Sequence, residues 1–306
     1  MRPFSWYAVF GVLCAGSLLI GGNALLTTFA LARNNDAYTH ILLILPISIA
    51  LLLMQWSSRK CKPDPSVRLG ASLLALAVLI AVAGLRGERA GTSTNDTRLF
   101  LEMLAVVLWW MGSFLFCFGG QAFRACIFPL LFLLWLVPIP AVALNYLVYY
   151  LQQGSALTAR ELFTIAGIPV AQTGTVLRIP GGLSVEVTQE CSSIRSSMML
   201  AVISVVMSHL LVRSYWGRAA VMLAAVPLSV VKNGLRVFTL AVLGAYVDPG
   251  VVDSPLHHQG GVVFLALSVA GVLALIWAVN WIERRRSYQP GRKISSMVVG
   301  AGGQTI

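Results

Sequence analysis

Eight apolar runs, most of them near the length that crosses a bilayer, restrict this chain of 306 residues to very few folds. They lie at about 6–30, 41–55, 69–85, 100–119, 126–150, 193–212, 219–247 and 261–282. A hydrocarbon layer about 30 Å thick takes about 20 helical residues to cross, and a helix satisfies its own backbone N–H and C=O groups where water is absent. The pattern predicts an all-α polytopic membrane protein of about eight transmembrane helices. The second run is short and is expected to recruit flanking residues such as Tyr38 and His40. Composition agrees, with 58% hydrophobic residues, 11% charged residues and a mean hydropathy of +0.81, where soluble domains carry about a quarter charged residues. Residues 1–290 are expected to form a single membrane domain, and residues 291–306 a flexible cytoplasmic tail. The first run lacks a small-residue cleavage site and reads as a retained helix rather than a signal peptide.

The net charge of +11 invites a nucleic-acid reading, but the basic residues sit in short loops between apolar runs, as membrane topology demands. No nucleic-acid partner is expected; membrane lipids are. One side of the membrane collects Arg2, Arg59, Lys60, Lys62, Arg68, Arg124, Arg213, Arg218, Arg284, Arg285, Arg286, Arg292 and Lys293, thirteen in all. The other collects six: Arg33, Arg86, Arg89, Arg98, Arg160 and Arg178. Positive charge stays in the cytoplasm, so both termini are expected there, in agreement with an even number of spans.

The longest polar stretch, 151–190, then faces outward. Its first part, "SALTARELFTIAGI", spaces Leu157, Leu162, Phe163 and Ile165 as an amphipathic helix that could lie in the interface. Its second part, "GTVLRIPGGLSVEVTQE", alternates apolar and polar residues on both sides of Pro180-Gly181-Gly182, which reads as a small extracytoplasmic β-hairpin. This hairpin delivers the chain to the motif "TQECSSIRSSMML".

Five cysteines, Cys14, Cys61, Cys117, Cys126 and Cys191, show no paired or metal-ligand spacing, and neither a metal nor another cofactor is expected. Cys14, Cys117 and Cys126 fall in or beside apolar runs, where a thiol is a small core residue. Cys191, between Glu190 and Ser192, has polar neighbours on both sides, as does Cys61 between Lys60 and Lys62, but only Cys191 stands where an apolar run is about to begin. At the mouth of a helix, unpaired N–H groups and the dipole favour a thiolate. Arg195, four residues on, would share that helical face and help, while Glu190 would oppose it.

In "VVKNGLRVFTLAV", Lys232, Asn233 and Arg236 interrupt a spanning segment, where an ionisable residue costs at least about 2.5 kcal/mol. Either they are functional groups, or the helix breaks at Asn233-Gly234 and the cations snorkel outward. The loop "VDSPLHHQGGVVF" places His257 and His258 on the same expected face as Cys191 and Arg236. His40 is a weaker candidate for a supporting role on that face. A thiol, a guanidinium and an imidazole on one side of the membrane fit nucleophilic acyl transfer, with attack by sulfur, oxyanion stabilisation by arginine and proton transfer by histidine. A transporter subunit with an anion or proton path, or a non-catalytic membrane scaffold, would use the same cations differently.

Several motifs resemble those of the exosortase/archaeosortase family of membrane cysteine transpeptidases. "ECSSIRSS" (Glu190–Ser197) resembles its cysteine motif, "NGLRV" (Asn233–Val237) its arginine motif, and "HHQGGVVF" (His257–Phe264) its His-x-x-x-Gly-x-x-Phe motif. "YTHILLILPIS" (Tyr38–Ser48) and "FPLLFLLWLVPIP" (Phe128–Pro140) resemble its early helices, and the likeness covers most of residues 36–265. The resemblance implies catalytic roles for Cys191, Arg236 and His257, with Arg195, Asn233, His258 and His40 as supporting candidates. His257 is preferred to His258 because Gly261 and Phe264 then follow at the motif's spacing. It implies as partners secreted proteins ending in a short motif such as Pro-Glu-Pro, a transmembrane helix and a basic tail, which are cleaved and passed to an unidentified acceptor. The charge distribution makes a prediction of its own. A reporter that works only in the cytoplasm is expected to be active when fused after Ile306 and inactive when inserted in 151–190, as enzymatic or fluorescence assays of the fusions can establish.

Overall fold

The structure, a computed structural model, describes residues 3–59, 64–89, 94–179, 184–187, 194–246 and 261–287. The described elements are α1 (Pro3–Asn34), a 3-10 turn (Asp36–Tyr38), α2 (Ile41–Arg59), α3 (Val67–Arg89), α4 (Asn95–Ala125), α5 (Ile127–Phe132) with a 3-10 turn (Leu133–Leu136), and α6 (Ala141–Ile165). Three short strands follow, β1 (Ala171–Thr173), β2 (Val176–Arg178) and β3 (Ser184–Glu186), then α7 (Ile194–Leu211), α8 (Tyr215–Tyr246) and α9 (Gly261–Ser287). Six helices among the described residues are long and apolar enough to cross a membrane, or eight if two bent pairs each count as one span. The protein is an all-α polytopic membrane protein, as its apolar runs require. It divides into two compact units, Met1–Leu147 and Val148–Ile306, with the boundary inside α6.

In the first unit α3 and α4 pack backbone to backbone. A Cβ added at Gly70 would lie 2.5 Å from Phe116 Cα, and one at Gly112 would lie 3.2 Å from the Leu74 side chain. Close approach of this kind is how helices associate in lipid, where apolar burial alone gives no preference for protein over acyl chains. Beside it, Phe10, Trp56, Phe114 and Phe118 meet edge-on or tilted at centroid distances of 4.9–6.0 Å. Trp109 Nε1 donates to Leu13 O at 2.9 Å and Trp110 Nε1 to Ser17 Oγ at 2.7 Å, so the indole N–H groups are spent inside the protein. The expected recruitment of Tyr38 and His40 by the second run is seen: the span covers Asp36–Ser58, and both residues are buried in it.

Two expectations change. The fifth run, 126–150, is not one straight span; the chain turns by 93° between Ile127–Leu136 and the helix that starts at Ala141. Pro138 and Pro140 supply the cause, since proline lacks a donor and drives the residue before it away from helical geometry. The amphipathic stretch 155–168 is likewise no separate helix but the end of α6 and the turn after it. Its inward face is Ser155, Ala156, Ala159 and Phe163, whereas Leu157 and Ile165 are 46% and 81% exposed. Small residues allow tight packing, and in a membrane protein large aliphatic groups can face lipid at no loss.

The hairpin expectation holds and is extended. β2 and β3 pair antiparallel with Leu177 opposite Val185, and β1 adds a third strand with Gln172 opposite Leu177. Gly174 closes the extra β1–β2 turn at φ 63°, a conformation that glycine adopts without steric penalty. Because the Gly70 contact is to backbone, Gly70→Ala is expected to destabilise the protein by about 1–3 kcal/mol. Gly11→Ala, with nothing within 4 Å of the added methyl, should change little; thermal aggregation of the detergent-solubilised variants measures both.

Candidate active site

α8 carries three strongly polar side chains inward. Lys232 is 4%, Asn233 1% and Arg236 8% exposed. The helix is continuous from Tyr215 to Tyr246, so it does not break at Asn233-Gly234, and the two cations do not snorkel. Gly234 serves another purpose. A Cβ there would stand 2.5 Å from Thr158 Cβ and 3.1 Å from Ser155 O, so the missing side chain is what lets α8 lie against α6.

That close approach creates a polar contact between the helices. Asn233 Nδ2 donates to Ser155 Oγ at 3.0 Å, and the Ser155 hydroxyl donates to Leu151 O at 2.6 Å. Ser155 is fully buried. On the other side, Lys232 Nζ donates to Ser196 Oγ in the first turn of α7. A buried ammonium needs such a partner, since leaving it unmet costs more than the net value of the bond. Lys232 and Arg236 lie four residues apart on one face of α8, where two positive charges repel. The arrangement therefore favours an anion or a developing negative charge near them.

The small sheet is bolted to the same helices. Leu177, Ile179 and Val187 pack with Ala156, Ala159 and Phe163 of α6 and with Val237 and Ala241 of α8. Phe163 meets Phe238 edge-on at 4.9 Å. Val187 is held at both backbone groups: its N–H donates to Thr175 O at 3.0 Å, and its carbonyl accepts from Gln152 Nε2 at 3.2 Å. At the start of α7, Ile194 is buried and Ser196 is tied to Lys232. The chain is thus anchored at Val187 and again at Ile194.

Cys191 and Glu190, which fall between Val187 and Ile194 in the sequence, lie outside the described residues, and so do His257 and His258. Arg236 and Asn233 are inside the second unit, as described. Arg195 is exposed on the first turn of α7, beside the inward-facing Ser196. His40 belongs to the first unit and is 3% exposed. Its Nδ1 lies 3.1 Å from Ala37 O, and its ring meets Trp135 edge-on at 6.3 Å. A carbonyl can only accept, so Nδ1 carries the proton and Nε2 holds the lone pair in the neutral ring. Cys117 and Cys126 are buried core thiols. No group of three or more metal-ligating side chains occurs among the described residues.

Sequence reasoning named neither Ser155 nor Ser196, which hold Asn233 and Lys232. Their signal was present: each is a hydroxyl in an apolar helix, which needs a partner in lipid. Which partner it finds depends on the neighbouring helix and is not written in local spacing.

The model of one protein family, described as transmembrane exosortase, matches residues 32–277. No curated protein and no solved structure gives a match.

The Lys232–Ser196 contact makes a quantitative expectation. Ser196→Ala should cost about 1–3 kcal/mol, because it strips a buried cation of a partner. In a Lys232→Met background, where the charge itself is gone, the same change should cost much less. A double-mutant cycle on thermal or denaturant stability in detergent reads the difference.

Proposed function

The chain belongs to the transmembrane exosortase family, and from that premise we propose that it is a membrane-embedded cysteine transpeptidase acting on secreted proteins with a C-terminal sorting signal. Cys191 is the nucleophile, Arg236 the oxyanion-stabilising cation and His257 the proton-transfer group. The thiolate of Cys191 attacks the scissile carbonyl, a C–S bond forms, and the carbonyl oxygen takes negative charge beside the Arg236 guanidinium. The C–N bond then breaks, and the leaving amine receives its proton from His257. An acceptor amine reverses the sequence: its nitrogen attacks the thioester, loses a proton to His257, and expels the Cys191 thiolate.

The observation that carries this reading is the Lys232–Ser196 contact, which joins the helix of the arginine motif to the helix of the cysteine motif. Cys191 stands three residues before Ile194 in the sequence, a separation that extended chain covers in about 11 Å at most. Burial supports the role given to Arg236, since a fixed cation in a low-dielectric site stabilises developing charge far more than one in water. A guanidinium also stays protonated at any working pH.

The same reading sets the location. The enzyme sits in the cytoplasmic (inner) membrane with both termini in the cytoplasm and the site on the extracytoplasmic face. A substrate whose basic tail stays in the cytoplasm by the positive-inside rule would present its motif on that face. The substrate helix can be recognised within the bilayer through small-residue packing.

Co-expression of a secreted reporter bearing a motif, helix and basic tail tests the proposal. Loss of the C-terminal helix, read as a mass shift, is expected with the wild type and abolished by Cys191→Ala, with normal membrane insertion. Arg236→Ala should slow processing by roughly a hundredfold to a thousandfold, and His257→Ala should impair it more than His258→Ala. Equal processing by wild type and Cys191→Ala would leave a scaffold or a transporter subunit as the better description.

A further inference from the structure

The Asn233 amide has a determinable orientation. The Ser155 hydroxyl proton is committed to Leu151 O at 2.6 Å, because a carbonyl can only accept. Ser155 Oγ must then act as the acceptor toward Asn233, at 3.0 Å, and only the amide nitrogen can donate to it. Exchanging the amide oxygen and nitrogen would set two acceptors against each other. Asn233 Oδ1 therefore lies on the branch that does not face Ser155. There it is buried with no hydrogen-bond partner among the described residues. Few buried acceptors are left in that state, and one that is calls for an explanation such as a catalytic or binding role.

Its neighbours sharpen the point. Lys232 and Arg236 are buried on the same helix, Arg236 three residues on, and both side chains carry donors only. Asn233 Oδ1 is the one side-chain acceptor among these three. Acyl transfer makes two demands on its surroundings: donors for the carbonyl oxygen and an acceptor for the nitrogen. By microscopic reversibility the leaving nitrogen and the entering nitrogen occupy the same place at the tetrahedral centre. A nitrogen that hands one hydrogen to a fixed acceptor has its lone pair aimed by that contact.

Resting on the transpeptidase reading above, we infer that Asn233 Oδ1 accepts a hydrogen bond from the reacting nitrogen of the substrate, both the leaving peptide N–H and the entering amine. Asn233 is then a substrate-positioning residue, and the group it selects is a primary amine of the acceptor. It takes no proton: in the transfer step the C–N bond forms, the C–S bond breaks, Cys191 leaves as thiolate, and the proton goes to His257. Ser155, through Nδ2, only holds the amide in place.

The test is the partition of the thioester between water and an amine. Full-length enzyme in liposomes is given the reporter and a fixed concentration of hydroxylamine, and hydroxamate and free-acid products are counted by mass spectrometry. The ratio does not depend on how much of a variant folds. Asn233→Ala should lower hydroxamate relative to acid about tenfold and raise the apparent KM for hydroxylamine, since loss of one hydrogen bond weakens amine binding while water remains abundant. Asn233→Asp keeps an acceptor but loses the donor to Ser155, and it should hold the ratio within about threefold of wild type. An unchanged ratio in Asn233→Ala, or an equal fall in both variants, would overturn the inference and leave a structural brace between α6 and α8. Cys191→Ala in the same assay separates the two levels: Cys191-dependent cleavage with an unmoved ratio defeats this inference alone, whereas cleavage without Cys191 defeats the transpeptidase reading and this inference with it.

Discussion

A bilayer interior supplies no hydrogen-bond partners, so each polar side chain on a spanning helix must find one in the protein or carry a cost of kilocalories. The second unit is organised by that demand. Lys232 is met by Ser196 of α7, and Asn233 by Ser155 of α6. The same two bonds fasten α8 to both neighbours. Polar groups that are expensive in lipid thereby specify which helices lie together, a preference that apolar contacts alone cannot set.

Glycine makes those bonds reachable. Without the close approach at Gly234, Ser155 and Asn233 would stand apart, and the small sheet would lose its seat on Ala156, Ala159 and Val237. Val187, the last described residue before the cysteine motif, is in turn held at both backbone groups, by Thr175 O of the β1–β2 turn and by the Gln152 side chain of α6. A soluble-style element, three strands of three residues each, thus fixes the chain of a membrane protein up to Val187, four residues before the cysteine proposed as nucleophile. Such fixing would matter for the proposed acyl transfer, because a misplacement of about 1 Å can cost a hundredfold in rate.

Much of this was legible beforehand, for identifiable reasons. Spans are encoded locally, since length and apolarity suffice to predict insertion. The β2–β3 hairpin was visible in its alternation around Pro180-Gly181-Gly182. The turn between α5 and α6 was also written locally, in Pro138 and Pro140, but a long apolar run masked it. The stretch 155–168 was read as an interfacial helix of its own because periodicity shows only which residues share a side; packing in lipid rewards small residues, so Ala156 and Ala159 of α6 went inside and Leu157 did not. Strand β1 was missed because three residues are too few to show a period.

The sequence by itself determined the class: a multi-pass helical protein of a recognisable family, with a cysteine, an arginine and histidine motifs on separate segments. Those properties are carried by composition and short spacing, which need no knowledge of neighbours. Only the tertiary structure decided that Lys232, Asn233 and Arg236 point inward on an unbroken helix, and that Ser155 and Ser196 receive two of them. A side chain's partner is a property of the facing helix, and residues 36 and 78 positions distant become neighbours only when the helices pack.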